Sequence, residues 1–153
     1  MRSPDLNELR SIALAAGNRH SRARKAAEWV RSARGYHWVG LYDVSPSQIA
    51  AIAWTGPTAP AHPTFPRWQG LNGAAVEAAS PVVVQDVRRD PRYLTTFGAT
   101  LAEAIFPVRS TAREIVGTID VESDLVNAFS TDDQAFLAQC TEALRPLWDV
   151  HAA

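Results

Sequence analysis

A chain of 153 residues, 46% hydrophobic and 20% charged, has length enough for one domain with a core that needs neither disulfides nor metals. The lone cysteine, Cys140, excludes a disulfide framework and a thiolate metal cluster, and the charged start MRSPDLNELR excludes an ordinary secretory signal. No run is long and apolar enough to span a membrane, so a cytoplasmic protein is expected, and the net charge of −1 gives no general affinity for nucleic acid or membranes.

The elements follow in chain order. Ser3-Pro4-Asp5 predicts a helix start, after which Leu6, Leu9, Ile12, Ala13 and Ala16 recur at helical spacing up to Gly17. Ser21 is placed as the cap of a second helix running to Ala33, with Ala26, Trp29, Val30 and Ala33 as its apolar stripe. Residues 1–34 carry eight Arg or Lys against three Asp or Glu. Without interleaved aromatics, Arg19, Arg22, Arg24 and Lys25 read as solvated faces and not as a nucleic-acid surface. The helix pair is expected to cover a sheet or to pack on its copy in a homodimer.

Tyr36–Val44 alternates as a strand, with Trp38, Gly40 and Tyr42 on one face and Val39 and Leu41 on the other. Ser45-Pro46-Ser47 turns the chain into a second strand, Gln48–Trp54. Thr55–Trp68 holds prolines at 57, 60, 63 and 66 and reads as an extended, irregular loop, ordered by Phe65 and Trp68 and able to close over a site. Gln69–Ala79 reads as a turn and short helix, Pro81–Gln85 as a brief strand, and Asp90-Pro91 as the start of a short helix through Leu94 and Phe97. Ser130 caps a last helix with Asp132 and Asp133 in its first turn, and Pro146 should loosen its end.

Between these lies the most informative stretch, AEAIFPVRSTAREIVGTIDVES, residues 102–123, which reads as an antiparallel hairpin with a polar connection over 109–114. Strand alternation sets Thr118, Asp120 and Glu122 on one face and Ile115, Gly117, Ile119 and Val121 on the other. Ile119 and Val121 suit a core. Glu103, Asp120 and Glu122 need water, a partner or a ligand, because burying an unpaired carboxylate is costly. The candidates for pairing them within the chain are Arg109 and Arg113 or the backbone of covering loops. The sum is an α+β plan: a central, mostly antiparallel sheet, N- and C-terminal helices on one face, and loops and short helices covering a pocket on the other.

At GTIDVESDLVNAFSTDDQAFL the chain resembles the closing segment of a GAF domain, and the resemblance extends back through VVVQDVRRDPRYL, QGLNGAAVEA and YHWVGLYDV, over about residues 36–145, with residues 1–35 as added helices of the same domain. Within that family it is most similar to the free methionine-(R)-sulfoxide reductases. Trp38, Gly40 and Tyr42 match their WxGxY strand, and Gly70 and Gly73 match glycines of their Gly-rich turn. The family's three cysteine positions fall at Asn72, His62 and Thr96, so the thiolate that attacks the sulfoxide and the thiol that resolves the product are absent. Glu103 and Asp120 match the pocket carboxylates, and Glu122 matches a further aspartate with one more methylene. The resemblance implies that these acids hold the amino group of an amino-acid ligand.

The expectation is a non-catalytic GAF sensor that binds a small amine-bearing molecule through Glu103, Asp120 and Glu122, with Trp38 and Tyr42 as walls and Asn72, Thr96 and His62 at the former cysteine positions. The alternatives are a reductase-like enzyme with altered chemistry and an interaction module with a collapsed pocket. His20, His37, His62 and His151 show neither HxH nor HExxH spacing, so no metal and no cofactor is expected.

Overall fold

The computed structural model describes residues 4–95 and 98–149. Helices α1 (Leu6–Leu14) and α2 (Arg19–Arg34) precede strands β1 (Trp38–Val44), β2 (Gln48–Thr55) and β3 (Thr64–Pro66). Helix α3 (Gly70–Ala78), strands β4 (Val82–Val84), β5 (Ala102–Arg109) and β6 (Ile115–Ser123), and helix α4 (Thr131–Leu144) complete the order. Single 3₁₀ turns occupy Val87–Arg89 and Arg145–Leu147. The six strands form one sheet in the order β3-β2-β1-β6-β5-β4, with every neighbouring pair antiparallel.

Alternation along β1, β5 and β6 divides the molecule into two packed layers. On one face Val39, Leu41, Ala104, Val108, Ile119 and Val121 meet α1, α2 and α4 through Leu9, Ala26, Val30, Leu137, Cys140 and Leu144. The buried alanines of α2, at 23, 26 and 27, bring its backbone close to the sheet. Each fully buried Leu, Val or Ile in this layer contributes about 1.5–3 kcal/mol. The other face carries a smaller layer in which Trp38, Tyr42, Ile49, Phe65 and Val76 form one cluster and Leu71, Ala75, Val84, Val87 and Ile105 another.

Two polar devices lock the helical layer. Asp133 in the first turn of α4 forms a capping box with Ser130, and its other oxygen accepts from Arg34 Nε and Tyr36 Oη, both at 2.6 Å. The end of α2 is thereby fastened to the start of α4. At the opposite end Trp148 is buried against Gly117, where a β-carbon would collide with the indole, and its Nε1 donates to the carbonyl of Tyr42 at 3.2 Å.

Several element boundaries differ from the sequence reading, each for a local reason. The side chains that cap α1 and α2 are Asp5 and Asn18, which accept from Asn7 N and Ser21 N; Ser21 therefore stands inside α2, and Ser3 lies outside the described residues. The loop over 55–68 is not irregular throughout: Thr64–Pro66 adds strand β3, with Phe65 opposite Ile49 and buried. Its prolines fit because β3 is a sheet edge. Trp68, by contrast, is 75% exposed. No helix follows Asp90-Pro91 among the described residues. Asp90 instead accepts from the backbone two residues on, at Arg92, an Asx arrangement that satisfies a turn, while the same bond from Arg88 N to Asp86 caps the 3₁₀ turn Val87–Arg89. Pro146 ends α4 in a 3₁₀ turn, as its missing N–H requires.

Candidate functional site

Sheet register assembles the site. Across β1 and β6, Trp38 faces Glu122, Gly40 faces Asp120 and Tyr42 faces Thr118. Across β5 and β6, Glu103 faces Glu122 and Ile105 faces Asp120. The three acids are 4%, 2% and 0% exposed for Glu103, Asp120 and Glu122, and they offer ligand oxygens that all lie within 4.8 Å of one another. Among the described residues no cation pairs with Glu103 or Asp120. The proposed partnership with Arg109 does not form. Its guanidinium donates to the carbonyls of Ala79 and Arg113 at the hairpin tip.

What holds the acids instead is a set of neutral donors. Asn72 Nδ2 donates to Asp120 Oδ2 at 3.1 Å while Asn72 Oδ1 accepts from Thr118 Oγ1 at 2.6 Å, a pairing that fixes the orientation of the amide. Thr100 Oγ1 donates to Glu122 Oε1 at 2.7 Å. Asp120 Oδ1 has no donor unless Glu103 keeps its proton. Burial, then the charges of Asp120 and Glu122, push the Glu103 carboxyl well above the usual carboxylate range, so it is the group that carries the proton and donates it to Asp120. Burial pushes Asp120 up to about 6, with hydrogen bonds from Glu103 and Asn72 opposing the rise. The Tyr42 phenol is likewise pushed up, first by burial and then by all three acids.

These groups floor a small cavity. Tyr42, Glu103 and Asp120 form its base, Leu71 and Asn72 its side, and His62, Phe65 and Leu94 its roof. It leaves about 20 Å³ for the centre of a water molecule, room for one small guest and far less than a drug-sized ligand takes. Trp38 is on the same sheet face but is not a wall of the cavity; its Nε1 donates to the carbonyl of Thr58 at 3.0 Å and ties down the loop above. Gly40 makes this possible, since a β-carbon there would fall 2.7 Å from Cζ3 of Trp38 and 3.0 Å from Cε1 of Tyr42. Glu122, opposite Glu103 across β5 and β6, does not line the cavity. Thr96 lies outside the described residues. A wider open groove of about 600 Å³ beside β4 lacks any such convergence, because its Asp86, Arg89, Asp90 and Arg92 pair among themselves and with Arg88.

Sequence reasoning missed Leu71, Leu94 and Thr100. Thr100 precedes its strand and carries no periodic signal, and the roof position of Leu94 depends on a connection without regular structure. Cys140, the one cysteine, is on the helical side of the sheet, where burial pushes its thiol up to about 12.

The sequence profile of the GAF domain family matches residues 18–144. The chain belongs to the GAF domain family. GAF domains are a fold used for small-molecule binding and signalling, and the six-stranded antiparallel sheet with four helices is the GAF architecture. GAF domain-containing protein A of Dictyostelium discoideum is 26% identical over 110 residues, 71% of this chain and 68% of that protein. The type II free methionine-R-sulfoxide reductase from Thermoplasma acidophilum superposes with a TM-score of 0.81 at 29% identity, over 93% of this chain and 96% of the other. The free methionine-R-sulfoxide reductase from Neisseria meningitidis, solved in complex with its substrate, gives a TM-score of 0.85 over 97% and 89% of the two chains, and at 22% identity this is a likeness of fold. Among the described residues no helix is long and apolar enough to cross a membrane.

Proposed function

We propose that this GAF domain is a non-catalytic binding module that recognises a small amine-bearing ligand, with the ammonium group set between Glu103 and Asp120. The observation that carries the reading is the buried cluster of Glu103, Asp120 and Glu122 with no cation paired to the first two. An ammonium donates up to three charge-assisted hydrogen bonds and would take over the bridging role of the Glu103 proton. The ligand body requires more room than about 20 Å³ gives, so the roof of His62, Phe65 and Leu94 moves aside on binding. Against sulfoxide reduction stand Asn72 and His62 at the cavity, where thiols would be needed, and Cys140 on the far side of the sheet. Output to a partner, and pairing of two copies through the terminal helices, belong to the same proposal.

The test is calorimetric titration with a panel of amino acids and simple amines, each beside its N-acetylated form, which keeps the body and removes the charge. Binding by the free amines, weakened at least about tenfold by acetylation and by Glu103→Gln or Asp120→Asn, is expected. Equal affinity for the acetylated and free forms would sink the reading. Sustained turnover of free methionine sulfoxide with a thiol reductant would replace it with an enzymatic one.

A further inference from the structure

The small cavity, floored by Glu103 and Asp120 with an oxygen of Glu122 adjoining theirs, suits a guest smaller than an amine-bearing metabolite. Its free volume of about 20 Å³ holds one atom-sized occupant. Oxygens from Glu103, Asp120 and Glu122 lie within 4.8 Å of one another, the span of a coordination polyhedron whose metal–oxygen distance is about 2.4 Å. A second observation comes from outside the carboxylates. Tyr42 is 2% exposed and lines the cavity under the influence of all three acids, yet its hydroxyl makes no hydrogen bond among the described residues. Asp120 Oδ1 points to the same conclusion, having no donor but the neighbouring carboxyl. The donors are all oxygens; His62 is in the roof and outside the cluster, and the one cysteine is on the far side of the sheet.

The geometry points to a binding site for one hard divalent cation of the calcium or manganese class, held by Glu103, Asp120 and Glu122, with the Tyr42 hydroxyl as an additional oxygen. Zinc and copper are disfavoured by the absence of nitrogen and sulfur ligands. Magnesium, which dehydrates reluctantly and keeps several waters, is disfavoured in a space for a single small guest. The ion would stand where the Glu103 proton now bridges two carboxyls, and it needs no movement of the roof. It therefore goes beyond the amine reading: both guests use the same acids, so each excludes the other, the ion in the cavity as it stands and the amine in a widened one.

Metal-free, chelator-treated protein titrated with Mn²⁺ and followed by electron paramagnetic resonance at neutral pH tests the site. One Mn²⁺ per chain is expected, displaced by Ca²⁺, raising Tm, and weakened at least about tenfold by Glu122→Gln and by Asp120→Asn. Both variants keep an oxygen able to accept from Thr100 or Asn72, and Tyr42→Phe, a smaller change expected to weaken binding less, decides the matter if either fails to fold. No stoichiometric Mn²⁺ or Ca²⁺, or equal binding by wild type and variants, overturns the site. Amine titration of the same metal-free protein keeps the two readings apart: amine binding without Mn²⁺ binding defeats the ion alone, and the reverse defeats the amine alone.

Discussion

Replacing Asp133 with alanine removes four hydrogen bonds at one stroke. Ser130 N and Oγ donate to Asp133 Oδ2 at 3.0 and 2.7 Å, and Arg34 Nε and Tyr36 Oη both reach Oδ1 at 2.6 Å. Loss of the capping box costs about 1 kcal/mol. The Arg34 side chain is 31% exposed, so its pair with Asp133 is discounted for solvent screening to at most about 1 kcal/mol. Tyr36 is 6% exposed, and leaving its hydroxyl without an acceptor costs about 1–3 kcal/mol. About 3 kcal/mol in all corresponds to a fall in Tm of about 6–12 °C for a chain of this size. Burial raises the Asp133 carboxyl, but hydrogen bonds from Tyr36, Ser130 and Arg34 more than reverse this and hold it below the ordinary aspartate value. A depressed folded-state value means stabilisation present above the unfolded value of about 3.9 and lost as the pH falls through the folded one. The gap between wild type and Asp133→Ala, measured by urea denaturation, should stay level from about pH 7 to about pH 5 and narrow below about pH 4. A variant within about 0.5 kcal/mol of wild type at neutral pH would refute the role assigned to this network.

Two further outcomes follow from the packing. Gly40→Ala should destabilise by about 1–3 kcal/mol through collision with Trp38 and Tyr42, and should free the loop over 55–63 enough to speed its proteolysis; normal stability with a protected loop would contradict the contact. Cys140 should resist a thiol-labelling reagent in the native protein and react fully in denaturant, because its thiol is buried and pushed up to about 12. Rapid native labelling would show the helical layer to be open.

Much of the site was legible because strand alternation is unambiguous where both faces are marked. Thr118, Asp120 and Glu122 against Ile119 and Val121 leave one choice of orientation, and the same two-residue period puts Trp38, Gly40 and Tyr42 on one face, whose pairing with the acids only the β1–β6 register reveals. The capping of α4 was equally readable from Ser130 and Asp133. The roof was not. Three-residue strands such as β3 are too short for a periodic signal, and the turn at Asp90 competes with the helix that Asp-Pro suggests by bonding its own backbone two residues on. The role of Asn72 also escaped the sequence. The sequence puts it at a cysteine position among the binding residues, whereas its amide, between Thr118 and Asp120, is what orients the aspartate. That pairing spans 46 and 48 residues of sequence and follows from α3 lying across β6, a tertiary fact with no local signature.

The indole of Trp148 gives the sheet a reporter on its back. Tyr42 turns its ring into the cavity while its carbonyl receives the Trp148 Nε1–H from the other side. A single peptide thus touches both compartments, and a guest that lifts or twists β1 must stretch or release that bond without any loop having to carry the message. The Trp148 indole then registers the state of a chamber it never enters.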